Sequence, residues 1–374
     1  MGYLGEEIKK LGFGLMRLPK LDDDTIDLEQ VKQMVDLFLS KGFTYFDTAW
    51  AYPGSEDAIR QALVERYPRD KFTIATKNAA WIKCNTREDA IAQFETSLRQ
   101  TGAGYFDFYL LHNLGEARTE FFERFKMWDF VAEKKREGLI KHVGFSFHGT
   151  PAELEEILTK HPEAEFVQLQ INYADWESPL IQSRACYEVA RRHGKPIIIM
   201  EPIKGGMLAN PPDSVAAVFK AANPEVSLAS WAVRFAASLE GVITVLSGMS
   251  TIAQMEDNVA YMENFKRLND SERATVEEAR KVLASIPIIP CTACEYCQKV
   301  CPQNIGIAGS FAAYNILTLY RDKAAALREE TWRVAMHGKK SASSCVRCGA
   351  CERVCPQHIK IRSELAKVVA TLGR

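Results

Sequence analysis

Long apolar runs are missing from this 374-residue sequence: no stretch approaches the ~18 residues needed to cross a bilayer, so a spanning helix is excluded. A surplus of either charge is missing too. With 47 Lys and Arg against 48 Asp and Glu, the net charge of -1 gives no electrostatic reason to bind nucleic acid or an anionic membrane. The opening MGYLGEEIKKLGFG has no apolar secretory core, and Glu6 stands where myristoylation requires Ser or Thr. A cytoplasmic, reducing compartment is expected, in which cysteines do not build a disulfide framework. No G-x-G-x-x-G follows the first strand-like run, which argues against a Rossmann dinucleotide site. Disorder is excluded by an ordinary globular balance of 47% apolar and 25% charged residues.

What the sequence does contain is alternation. Between residues 10 and 262, eight short β-branched or aromatic runs are each followed by a segment of helical period. The strand runs are LGFGLMRL, YFDTA, FTIATK, YFDFYLLH, HVGFSFH, FVQLQIN, PIIIME and VITVLSG. Leu28, Val31, Val35 and Phe38 mark one face of the first helix, and Thr150 with Pro151 opens another. Eight βα units predict a closed (β/α)8 TIM barrel, with an open doubly wound sheet as the alternative. A helix over about 269–285 leads to the prolines of SIPIIP, which place a boundary between a barrel domain, 1–286, and a second domain, 287–374. That second domain is expected to be mainly helical, with helical sequence over 304–336 and a loop at HGKKSASS.

Eight of the ten cysteines lie in two copies of C-x-x-C-x-x-C-x-x-x-C-P, at Cys291–Pro302 and Cys345–Pro356. Three cysteines spaced two apart place three thiolates on one tight loop, able to hold three corners of an iron–sulfur cube, and the fourth suits the neighbouring cube. This predicts Cys291, Cys294 and Cys297 with Cys355 on one [4Fe-4S] cluster, and Cys345, Cys348 and Cys351 with Cys301 on the other. Two tetrahedral zinc sites are the rival reading, although zinc is more often held by separated C-x-x-C pairs. The stretch resembles the dicluster ferredoxins, of the helical variety given the long helix-like segment between the motifs. Cys84 and Cys186 stand outside both copies and read as packed free thiols.

In a barrel the chemistry sits at the carboxyl ends of the strands. There the second run turns polar at Asp47, with Tyr52 on the loop behind it; the third ends in Lys77 and the fourth in His112. A phenol holds its proton near neutral pH, a nearby ammonium stabilises the phenolate, and a carboxylate fixes the ammonium. A histidine beside them can orient a substrate carbonyl. Such a proton donor is useful where a hydride reaches the carbonyl carbon, and nicotinamide is the usual carrier.

Those residues resemble the aldo/keto reductase family. DTAWAYPGSE is similar to its D-T-A-x-x-Y-G-x-S-E segment, ATK to its lysine strand and LLH to its histidine strand, within a likeness running through about residues 8 to 262. Pro53 departs from the family's usual glycine. The resemblance implies an NAD(P)H-dependent carbonyl reductase, with Tyr52 as general acid, Lys77 and Asp47 as its tuners and His112 orienting substrate. It also implies cofactor contacts: Ser146 and Gln168 at the carboxamide, Met200 by the nicotinamide, and Glu201, Pro202, Ile203 and Gly205 over the pyrophosphate. Gly14, Met16, Arg17 and Asp47 would lie at the first strands' rim, and Ser247, Gly248, Ser250, Gln254 and Asn258 at the adenosine end. Gln254 and Gly248 stand where the family often has Arg and Lys to grip a 2′-phosphate, a weaker clamp that leaves NADPH and NADH both open.

Barrel and tail together look like the iron–sulfur branch of that family. The expected function is reduction of an aldehyde or ketone, or oxidation of the alcohol, with two [4Fe-4S] clusters for electron relay or structure. A ferredoxin or flavoprotein is a possible redox partner. Two other readings stand beside it: a one-electron transfer protein coupled to a flavin or partner flavoprotein, and a redox-sensing interaction protein.

Overall fold

Eight parallel strands close on themselves in sequential order in the computed structural model of the protein, which describes residues 2–21 and 25–374. They are β1 (Leu11–Gly14), β2 (Tyr45–Asp47), β3 (Thr73–Asn78), β4 (Phe106–Leu114), β5 (Ile140–Phe147), β6 (Phe166–Gln170), β7 (Ile197–Met200) and β8 (Val242–Ser247). The first run is shorter than expected. Only LGFG pairs as strand, and Leu15–Arg17 coils into a single 3-10 turn. β4 extends past His112, to Leu114.

By packing, the described chain divides into two units, Met1–Lys204 with Ala229–Arg273 and Gly205–Leu228 with Ala274–Arg374. In the first, the strands are buried on both faces, as parallel strands under helices must be. One face of β1 to β7 supplies Phe13, Phe46, Val143, Phe145, Val167, Ile197 and Ile199 to the layer beneath the helices. The other face fills the barrel interior with Tyr45, Ala75, Phe108, Leu110, Phe166 and Ile198, closed below by Tyr3, Leu4 and Ile8. Gly144 makes room for this filling, since a Cβ there would lie 2.5 Å from the Phe166 carbonyl oxygen. Period-two alternation then sets the composition of the rim. Two positions beyond each inward residue the interior face turns polar, at Asp47 after Tyr45, Lys77 after Ala75, His112 after Leu110 and Gln168 after Phe166. Helix ends obey local rules as well: Asp27 accepts from the Gln30 N–H at 3.1 Å, and Thr150 with Glu153 forms a capping box.

The second unit packs Ile307–Tyr320, Lys323–Arg333 and Ile361–Leu372 around Phe311, Ile316, Leu365 and Val368. The stretch expected to be helical over 304–336 holds two of these helices. Arg321 takes a left-handed backbone (φ 54) after the first, and the Asp322 side chain accepts from Ala325 N–H at 2.8 Å to start the second. Asp at a cap competes with a continuous helix, and that local bond outweighs propensity here. No helix among the described residues is long and apolar enough to cross a membrane.

Candidate active site and cysteine centre

Lys77 is only 1% exposed, an extreme position for an ammonium, and three groups account for it. Its Nζ bonds the Asp47 carboxylate, donates to the Thr48 carbonyl at 2.6 Å, and lies 4.9 Å from the centre of the Tyr52 ring. His112 meets the same ring edge-on, with centroids 5.7 Å apart. The four residues thus converge from β2, the loop after it, β3 and β4. Burial alone would lower the Lys77 pKa, but the Asp47 carboxylate and the Tyr52 oxygen reverse that and hold it charged. Burial raises the Tyr52 phenol above its ordinary value. Lys77 pulls it down in the expected sense, Asp47 and Glu201 push it further up, and the net direction is upward. His112 is held well below the ordinary imidazole range by burial and by the positive charges of Lys77 and Arg118, with His148 adding to the effect, and is neutral.

The turn carrying Tyr52 is fastened from below. Ser55 Oγ donates to the Leu15 carbonyl at 3.0 Å and accepts from Thr48 Oγ1 at 2.7 Å, while buried Glu56 accepts from Thr76 Oγ1 at 2.6 Å. Gly54 (φ 73) supplies the left-handed bend beside Pro53.

The remaining rim residues fall into three groups. Ser146 and Gln168 are register partners on β5 and β6, both buried; Ser146 Oγ accepts the Asn113 N–H at 2.7 Å. The Gln168 Oε1 and Asn113 Oδ1 atoms are buried without a partner, as is Nδ1 of His112. A carboxamide needs such unpaired polar atoms, so a nicotinamide amide fits here. Asn113 carries no motif, and its left-handed backbone (φ 62) is the one signal that sets it apart. At the adenosine end, Ser247 Oγ donates to Asn258 Oδ1 at 2.7 Å, Ser250 Oγ donates to the Arg17 carbonyl at 2.7 Å, and Gln254 Oε1 accepts the Ser250 N–H at 2.7 Å. A Cβ on Gly248 would lie 3.8 Å from the Gly14 carbonyl oxygen and 3.9 Å from Arg17 Cβ, both ordinary contact distances. Met16 is exposed. Met200 at the end of β7 and Ile203 beyond it are half-buried, Pro202 is buried and Glu201 is exposed with a left-handed backbone. No sequence motif marks Asp175, which is buried and takes both Lys204 Nζ contacts, at 2.5 and 2.7 Å, while accepting from Asn172 Nδ2 at 2.9 Å. Gly205 (φ 67) falls in the second unit.

In that unit the two cysteine motifs share a backbone as well as a spacing. Ala293 and Arg347 are left-handed two positions after the first cysteine, Glu295 and Gly349 four positions after it, and Asn304 and His358 three after the fourth. Such alternation turns successive amides toward one point and makes an anion nest of the kind found at iron–sulfur sites. Cys301 lines one cavity with Cys345, Cys348 and Cys351, while the charge of Cys355 is among the causes that raise Cys291 and Cys297. Burial and neighbouring thiols push Cys297 up to about 12, so any metal bound there would have to displace its proton. Among the described residues no three His, Cys, Asp or Glu converge as they would around one ion. Cys84 and Cys186 are buried and free, and burial pushes Cys186 up to about 12.

These features define a (β/α)8-barrel protein with an ionisable rim site and a cysteine-rich helical unit. The chain belongs to the aldo/keto reductase family, whose model matches residues 10–281, and it is an oxidoreductase of that family. A 4Fe-4S dicluster domain model matches residues 290–359. The chain is similar to the probable aldo-keto reductase 1 of Glycine max, at 26% identity over 47% of this chain and 51% of that protein, so it spans about half of that relative. It is similar at 26% identity to an uncharacterized oxidoreductase of Schizosaccharomyces pombe, over 67% of this chain and 81% of the relative. Solved structures share the fold: an aldo-keto reductase of Bacillus halodurans (TM-score 0.58, 24% identity, 73% of this chain, 92% of that one) and one of Klebsiella pneumoniae in complex with NADPH (0.57, 20%, 72%, 90%).

Proposed function

We propose that the protein reduces an aldehyde or ketone with NADPH or NADH, or oxidises the alcohol in reverse. The observation that supports this most directly is the Lys77 ammonium bonded to Asp47 and 4.9 Å from the Tyr52 ring, which His112 in turn meets edge-on. A bound nicotinamide supplies hydride to the carbonyl carbon. Tyr52 delivers the proton to the carbonyl oxygen, and its upward pKa keeps that proton in place until charge builds on the oxygen. As the phenol loses its proton, the buried Lys77 charge stabilises the phenolate, with Asp47 holding the ammonium in register. His112, neutral, orients the carbonyl oxygen by a hydrogen bond without competing for the proton.

In this reading Ser146 and Gln168 hold the carboxamide, Met200 borders the nicotinamide, Glu201 to Ile203 follow the pyrophosphate, and Gly14, Met16, Arg17 and Asp47 line the near rim. Ser247, Gly248, Ser250, Gln254 and Asn258 receive the adenosine end. Residues 1–286 form the reductase domain and 287–374 the cluster domain. Cys291, Cys294, Cys297 and Cys355 hold one [4Fe-4S] cluster and Cys345, Cys348, Cys351 and Cys301 the other; the shared cavity of the second set supports the crossing. Hydride carries two electrons and each cluster one, so relay requires an external one-electron partner, a ferredoxin or flavoprotein. The test is anaerobic NAD(P)H oxidation by iron-loaded protein across a panel of aldehydes and ketones. Turnover that depends on Tyr52 supports the reading; neither binding nor oxidation of either nucleotide overturns it.

A further inference from the structure

The two cysteine motifs match in spacing and in backbone, so each is a control for the other, and their charges differ. Residues 285–308, around the first, contain one cation, Lys299, and one anion, Glu295. The equivalent positions 339–362 contain six cations and a single carboxylate, Glu352. Cluster binding does not require this excess, because the first motif does without it. Nor does folding absorb it. Glu352 is taken by Arg362 at 2.8 Å and Lys339 donates to Asn304 at 2.9 Å, whereas Lys340, Arg347, Arg353 and Lys360 are exposed and form no salt bridge among the described residues. Amid these charges Val346 is 59% exposed and Val354 37%, and Cys348 is at the surface. Val346, Arg347 and Arg362 border the same cavity as Cys301, Cys345, Cys348 and Cys351.

We propose that this face docks an acidic one-electron carrier protein. Exposed valines among unpaired cations are the complement of a carboxylate-rimmed redox protein, and Val346 and Arg347 border the cavity that the cysteines of the second motif line. The inference rests on the reading of the clusters as an electron relay. One electron passes at each encounter, the donor oxidised as the acceptor is reduced, with no proton transferred; two encounters match one hydride.

The test uses anaerobic, iron-loaded full-length protein and a plant-type [2Fe–2S] ferredoxin rich in carboxylates, with a cationic c-type cytochrome as counterpart. Calorimetry is expected to show ferredoxin binding that weakens with added salt, and no cytochrome binding. Arg347→Asn with Lys360→Gln should weaken binding on the order of tenfold at low salt. Asn suits the left-handed backbone at 347, and unchanged iron content verifies the loop. No ferredoxin binding, equal binding by the variant, or capture by anionic phospholipid vesicles in place of ferredoxin overturns the proposal. Bleaching of cluster absorbance by NAD(P)H, measured separately, reports on the relay: ferredoxin bound at this face without bleaching leaves the docking surface standing and removes the relay.

Discussion

The Lys77 ammonium and the Asp47 carboxylate meet inside the barrel rim with side chains 1% and 4% exposed, so neither charge has water to fall back on. Removing one partner strands the other. Lys77→Met is expected to destabilise the protein by about 3–5 kcal/mol, read as a lower urea midpoint, and to abolish reductase activity. A midpoint within error of the parent would mean the pair is not buried as described.

Tyr52→Phe keeps the ring against His112 and removes only the hydroxyl. The rate of carbonyl reduction is expected to fall on the order of a hundredfold or more, with nucleotide affinity unchanged in a fluorescence titration. Full turnover would dismiss Tyr52 as the acid.

Glu165 offers a pH test of stability. Burial pushes its carboxyl up, but bonds from His142, Lys135 and the Val143 N–H outweigh this and hold it at about 2, against 4.5 unfolded. A depressed carboxyl contributes stability above its unfolded pKa and loses it as pH falls towards the folded one. Glu165→Gln should therefore cost about 1–3 kcal/mol at neutral pH, allowing for partial exposure, with the gap to the parent closing between about pH 4.5 and 2. Parallel pH profiles would contradict this.

Cys355→Ser probes the crossed ligation. If Cys355 serves the Cys291 loop, roughly half the iron is lost while the Cys345 loop keeps its cluster, seen by iron assay and electron paramagnetic resonance of the reduced protein. Loss confined to the other motif, tracked by pairing with Cys294→Ser, would show that each motif serves itself.

The barrel was legible because its strands are dense β-branched runs, as at Ile197, Ile198 and Ile199, and because alternation fixes which rim side chains point inward. The convergence of Asp47, Lys77 and His112 results from that alone. Less visible were features set by distance in the chain. Asp175 and Lys204 are 29 positions apart, and nothing local marks either. The break at Arg321 contains neither Gly nor Pro, so only the Asp322 cap could have announced it. The grouping of Gly205–Leu228 with the C-terminal unit depends on packing no local pattern encodes. The upward direction of the Tyr52 pKa arises from burial, which a sequence motif does not report.

Ser55 and Glu56 tie the turn that carries Tyr52 to Leu15, Thr48 and Thr76, which lie on or beside three different strands. The entropy of placing the phenol is thus lost when the chain folds rather than at each encounter with substrate. Whatever rearrangement admits a ligand and lets product escape then falls to other loops, and the proposed proton donor can stand still through turnover.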